Sequence, residues 1–222
     1  IEKSLCASPE TAHFNAGSVL CMSGRYLEAI REFEAALRLN ADYGDALFNL
    51  GLIHEKMMNY DASMEAFYRV TRLPDVHDTT LCRAYLNIGG ICRSTGDLDR
   101  AVTTYRELIE RKKSNPLAYS ELGNVLQELG DLNGAIEAYR QTISLAPDWS
   151  GGHLNLGNAL HEQGDDRAAE TALRQAVSLE PSLTDAHISL GSTLYKLGRF
   201  RDAVTSFETA IKLDPESGKA YY

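Results

Sequence analysis

The sequence predicts an all-α fold, an array of antiparallel helix pairs, and three observations predict it. Glycine recurs at Gly17, Gly51, Gly89, Gly123, Gly157 and Gly191, with spacings of 34, 38, 34, 34 and 34 residues. A period near 34 is that of a helical-hairpin repeat. Around each glycine, small and apolar residues recur at offsets that share one helical face. Between these stretches stand turn and stop signals at matching positions.

Six units follow in order, at about 10–43, 44–77, 82–115, 116–149, 150–183 and 184–217, within a single array over 1–222. In the first, Ala12, Ala16 and Leu20 mark one helix, Gly24 the stop, and Ala29, Phe33 and Leu37 a second helix. The second repeats this with Ala46, Leu50 and His54, then Ser63, Phe67 and Thr71. Met58 stands where the stop glycine is expected, so Asn59 is expected to take the turn. The third has Ala84, Ile88 and Cys92, Gly96-Asp97, then Ala101, Tyr105 and Ile109. The fourth has Ala118, Leu122 and Leu126, Gly130-Asp131, then Ala135, Tyr139 and Ile143. The fifth has Gly152, Leu156 and Leu160, Gly164-Asp165, then Ala169, Leu173 and Val177. The sixth has Ala186, Leu190 and Leu194, Gly198, then Ala203, Phe207 and Ile211. Gly-Asp supplies a left-handed stop followed by an N-cap. Pro147, Pro181 and Pro215 end second helices, because proline cannot continue one.

Four extra residues fall near 73–81. Pro74 ends a helix there and Asp78 is placed to cap a lengthened one. Four residues make about one helical turn, so the segment is read as a longer loop or an added turn, or else as a change of curvature or a partner contact. Ser4 to Pro9 reads as the end of a preceding second helix, and Ser217 to Tyr222 as the start of a further first helix. The expectation is a segment of a longer array.

Composition narrows function. The 222 residues carry 22 basic and 31 acidic side chains, a formal charge of −9. That opposes nucleic-acid binding, which relies on Lys and Arg at phosphates, and opposes anionic membrane surfaces. No apolar run reaches the roughly 18–20 residues of a membrane span. Cys6, Cys21, Cys82 and Cys92 include no close pair of zinc spacing and are expected as free thiols, which places the chain in an intracellular, cytoplasmic setting. His13, His153 and His187 share one phase in different units, and helices pack about 8–10 Å apart, too far to share a metal. No cofactor is expected. No catalytic motif is present, and the segment is expected to be non-enzymatic.

The phased pattern resembles the tetratricopeptide repeat family, most closely over AYSELGNVLQELGDLNGAIEAYRQTISLAPD at 118–148. The usual Trp is replaced by His13, Leu47, Tyr85, Tyr119, His153 and His187. The resemblance implies a right-handed superhelical solenoid whose concave groove is lined by first helices and holds a protein or peptide. Two residues before each glycine stand Asn15, Asn49, Asn87, Glu121, Asn155 and Ser189. An Asn amide both donates and accepts, so such a row suits a peptide backbone. The row is similar to the asparagine ladder of O-GlcNAc transferases, which implies backbone binding at Asn15, Asn49, Asn87 and Asn155, with Glu121 and Ser189 interrupting it. Asn124, Gln127, Asn155 and Asn158 form the densest amide group, and Phe14 and Phe48 are placed to hold an apolar ligand side chain. The chaperone-tail clamp of the family needs Lys where Phe14, Phe48 and Leu86 stand. The expected function is a scaffold that binds an extended peptide or partner helix. The alternatives are the substrate-recruiting arm of a larger enzyme, such as a protein O-glycosyltransferase, and an assembly subunit using its convex face.

Overall fold

The computed structural model describes residues 8–215 and places twelve α-helices and no strand among them. They are α1 (Pro9–Met22), α2 (Tyr26–Leu39), α3 (Gly44–Lys56), α4 (Tyr60–Arg72), α5 (Asp78–Ser94), α6 (Leu98–Arg111), α7 (Pro116–Glu128), α8 (Leu132–Leu145), α9 (Ser150–Gln163), α10 (Asp166–Leu179), α11 (Thr184–Lys196) and α12 (Phe200–Leu213). One compact unit ends at Thr104 and a second begins at Tyr105, so the divide falls inside α6. In the first unit each of α1 to α4 packs on the helix that follows it; in the second, α7 to α11 do the same.

The recurring glycine is a socket. A Cβ on Gly17 would stand 2.8 Å from Phe33 Cε1, and one on Gly51 would stand 2.5 Å from Phe67 Cε1. In the second unit the same clash would set Gly123 against Tyr139, Gly157 against Leu173 and Gly191 against Phe207. The side chain sixteen residues on fills the space the missing Cβ leaves. The small residue at the twelfth position lets the two helices approach: Ala29, Ser63, Ala135 and Ala169 are fully buried. The Ser63 hydroxyl satisfies itself there by donating to the Gly51 carbonyl at 2.8 Å.

The turns form as their chemistry requires. Gly24, Gly96, Gly130, Gly164 and Gly198 have φ of +75° to +93°. The carboxylates of Asp97, Asp131 and Asp165 each accept a backbone N–H three residues on, at 2.9–3.2 Å. The second unit's prolines Pro147, Pro181 and Pro215 lie just past the ends of α8, α10 and α12.

Expectations at Met58, Asp78, Pro9 and Ala12 are corrected, and the four extra residues take the added-turn reading. Met58 itself adopts the left-handed conformation, at φ +58°, and Asn59 caps α4 by accepting from the Ala62 N–H. The turn needs its left-handed residue at position 58, whatever side chain stands there. His77 caps α5, its Nδ1 accepting from the Thr79 N–H at 3.4 Å, and Asp78 is the first helical residue. The four extra residues become an added turn: α5 has 17 residues, against 13 in α3. Thr80 in that turn donates to Asp45 Oδ1 of α3 at 3.2 Å. Pro9 opens α1, where its missing N–H costs nothing in a first turn. Ala12, at the small-residue position, is exposed. Residues 4–7 and 217–222, on which the half-units were read, lie outside the described residues.

Candidate peptide-binding wall

In the first unit, the first-helix positions are largely committed to packing. Phe14 is half-buried, its ring 5.1 Å from Tyr43 and 5.7 Å from Phe33. Phe48 is 4% exposed, 5.4 Å from Phe67 and roofed by the Arg83 guanidinium at 4.3 Å. Phe48 therefore offers no surface to a ligand, contrary to expectation: Arg83 of α5 covers its ring. Asn15 is exposed and Asn49 half-buried. Asn87 donates through Nδ2 to the Arg83 carbonyl of its own helix at 2.9 Å. Glu55 is half-buried on the same helices, and burial pushes its carboxyl above the ordinary range.

The second unit gathers the amides. Glu121, Asn124 and Gln127 follow one another at three-residue steps on α7, while Asn155, Asn158 and Glu162 follow at steps of three and four on α9. Asn124 Nδ2 donates to Glu121 Oε2 at 3.3 Å, and Asn155 Nδ2 donates to Asn124 Oδ1 at 3.4 Å. Gln127 Nε2 donates to Glu162 Oε2 at 2.6 Å. Tyr139 of α8 ties the row to the core. Its ring fills the Gly123 socket, and its hydroxyl lies 2.9 Å from Asn124 Oδ1 and 3.1 Å from Gln127 Oε1. A phenol has one proton, so it serves one of these oxygens at a time. Asn158 is half-buried beside the network.

The row keeps both donors and acceptors. After these bonds, Asn124, Gln127 and Asn155 each retain one amide N–H, and Asn155 Oδ1 keeps its lone pairs. Glu121 and Glu162 add negative charge beside them. Sequence reasoning placed Tyr139 only in the core and missed Glu162. The signal was the residue type: Tyr139 stands in a phase that holds Phe33, Phe67 and Phe207 elsewhere, and only the phenol carries a polar tip.

Besides the capping His77, four of the six histidines are held by partners within the chain. His153 Nε2–H donates to the Pro147 carbonyl at 2.9 Å, and His187 Nε2–H to the Pro181 carbonyl at 3.0 Å. The two bonds repeat one lock at two helix entries. His13 pairs with Glu32 at 2.7 Å. His161 Nδ1 meets Asp166 Oδ1 at 2.6 Å and Thr193 Oγ1 at 3.2 Å. Both partners share one ring nitrogen, so His161 cannot relay a proton between them as a catalytic triad does. Among the described residues, no three His, Cys, Asp or Glu side chains converge on a metal position, and no helix is long and apolar enough to cross a membrane. Cys21, Cys82 and Cys92 are free thiols.

The model of the cilia and flagella-associated protein 70 C-terminal domain matches residues 28–219, and that of the tetratricopeptide repeat matches 10–43. The chain belongs to the cilia and flagella-associated protein 70 C-terminal domain family. This family member is similar to BBSome complex member BBS4 of Bos taurus, with 27% identity over 96 residues. That stretch is 43% of this chain and 18% of BBS4, so the chain spans under a fifth of that relative. Its fold is similar to the C-terminal part of a TPR repeat-containing protein from Cytophaga hutchinsonii, with a TM-score of 0.78, 17% identity, and coverage of 99% of this chain and 88% of that one. It is also similar to YrrB, a TPR protein with an unusual peptide-binding site, with a TM-score of 0.67, 16% identity, and coverage of 85% and 95%. At these identities the likeness concerns the fold, which is the all-α tetratricopeptide fold. Folds of this class mediate protein–protein interaction.

Proposed function

We propose that this chain is a non-catalytic binding module that holds an extended polypeptide segment on the α7–α9 wall of its second unit, with a basic side chain of the segment beside Glu121 and Glu162. The observation that carries the reading is the cross-bonded row of Asn124, Gln127 and Asn155, oriented by Tyr139. Its remaining N–H groups and lone pairs match the alternating C=O and N–H of a backbone, and its carboxylates match a cation. Because the amides are already held, little side-chain entropy is lost on binding. The peptide-binding site of YrrB shows that this architecture serves such a task in another protein. The family name and the BBS4 match favour a ciliary multiprotein assembly as the setting. Asn158 joins the contact set from its place on α9, while Asn15, Asn49, Asn87 and Phe14 are a separate candidate contact set within the first unit. Kinship to O-GlcNAc transferases rests on the asparagine row alone.

Two fluorescein-labelled nonapeptides of alternating Ser and Ala, one with a central Arg and one with a central Glu, test the reading by anisotropy. The Arg peptide is expected to bind about tenfold more tightly, a difference of about 1.4 kcal/mol. Combined Asn124→Ala and Asn155→Ala changes abolish binding of both, and Glu162→Gln narrows the gap. Undiminished binding by the double variant, with helix content unchanged by circular dichroism, removes the site from the wall.

A further inference from the structure

Two helical hairpins expose apolar residues at repeat positions that the other hairpins cover. On α1, Ala12, Ala16 and Val19 are exposed. The same repeat positions on α11 hold Ala186, Leu190 and Thr193, all buried. Met22, 90% exposed, stands five residues after its glycine, where the other repeats have Lys56, Ser94, Glu128, Glu162 and Lys196. It is a methionine in a polar phase. On the α11–α12 hairpin, Tyr195 and Phe200 are 63% and 59% exposed, and their rings meet edge-on at 5.5 Å. The position of Phe200 holds Tyr26, Tyr60, Leu98, Leu132 and Asp166 elsewhere, each half-buried.

Contacts within each unit show how successive hairpins cover these positions. In the first unit, Lys56 lies over the ring of Tyr26 at 5.2 Å. Five residues after one glycine thus meets nine residues after the glycine before it. In the second unit, Gln127 bonds to Glu162 at 2.6 Å, which pairs position four with position five of the next repeat. His161 lies 3.2 Å from Thr193, which pairs position four with position two of the next repeat. One repeat further on, the first two pairings set the Met22 of a second copy against Phe200 and Tyr195. The third sets that copy's Val19 against Tyr195. Pairs that are polar or charged inside the units are apolar at this step.

We infer that the α11–α12 hairpin of one copy of this chain docks on α1 of a second copy, with Met22 of the second copy seated on the Tyr195–Phe200 ring pair. A thioether is flexible and polarizable and packs well at ring edges. Exposed Val204 on α12 widens the patch, and grouped apolar surface of this kind marks interaction sites. Ala12 and Ala16 let a helix approach closely, as Ala186 does where α11 packs on α10. The occupant is this chain itself, because the contact continues between molecules the hairpin packing found within each unit. The two surfaces differ, so each pairing leaves one of each open, and association closes as a ring or continues. The inference does not rest on the α7–α9 wall.

Sedimentation velocity of the full 222-residue chain tests it, over about a hundredfold range of concentration around the micromolar. The mean mass is expected to rise with concentration above that of one chain. Val19→Lys with Met22→Lys removes one surface, and Tyr195→Lys with Phe200→Lys removes the other. All four side chains are exposed, so both variants are expected to keep the wild-type circular dichroism. Each variant alone is expected to stay at the mass of one chain, and an equimolar mixture of the two to form a dimer and stop there. A wild type that stays monomeric throughout leaves these surfaces to another occupant and overturns the inference. So does a variant that still associates by itself, which is a contact between like surfaces, or a mixture that fails to pair.

Discussion

Single side chains in this protein act through what the neighbouring helix leaves them. Gly123 has no Cβ, so the Tyr139 ring reaches far enough for its hydroxyl to meet Asn124 and Gln127. A core contact thereby sets the orientation of two wall amides. Glu55 shows the opposite case, a carboxyl that burial holds above its ordinary range. Unfolded, it ionises near about pH 4.3. The folded state therefore binds its proton more tightly, and the stability this gives is present below the unfolded value and lost as pH rises through the folded one. Glu55→Gln removes the charge that burial opposes. The variant is expected to melt higher than wild type at pH 7, with the advantage gone below about pH 4. Thermal melts at both pH values check this, and an equal gain at both counts against burial as the cause.

At the scale of elements, the hairpin turns carry the strain. Five turns place glycine in the left-handed region and the α3–α4 turn places Met58 there, 76% exposed. A left-handed residue with a Cβ costs roughly 1–2 kcal/mol, and the added backbone entropy of glycine offsets part of that. Met58→Gly is expected to stabilise the chain by roughly 1 kcal/mol, seen as a higher urea midpoint at unchanged slope. A lowered midpoint would show that the methionine side chain contributes more than its conformation costs. The added turn of α5 is a different solution to a local irregularity. Pro74 stops α4, and Leu73 and Val76 fold back to within 3.3–3.4 Å of where a Gly44 Cβ would stand. Thr80 then binds Asp45. Inserting a whole turn keeps the apolar face of α5 in phase, which inserting one or two residues would not.

At the scale of the whole molecule, charge and local connectivity dominate. Within each unit the main helix contacts join elements one or two apart in the chain, the pattern of a repeat array in which each hairpin depends on its neighbours. The net charge of −9 biases the protein toward basic partners. For the Arg peptide, affinity is expected to fall steeply between 50 mM and 500 mM NaCl, because the Debye length is about 10 Å at 0.1 M and about 3 Å at 1 M. The Glu peptide is expected to weaken little or to improve. Anisotropy titrations across that range decide it, and parallel slopes for the two peptides would remove the carboxylates from the site.

What the sequence by itself determined was local. The glycine period, the Gly-Asp stops, the prolines past α4, α8, α10 and α12 and the amphipathic phases are readable because each depends on residues within a few positions of one another. The gathering of Asn124, Gln127 and Asn155 was legible in the same way, as positions on successive first helices. The tertiary structure decided the rest. Arg83 covers Phe48, the Tyr139 hydroxyl enters the wall, Glu162 takes the Gln127 amide, and His54 Nδ1 is left buried and unpaired. Those outcomes depend on side chains that come from different helices, where the shape left between packed surfaces chooses the partner and spacing along the chain does not.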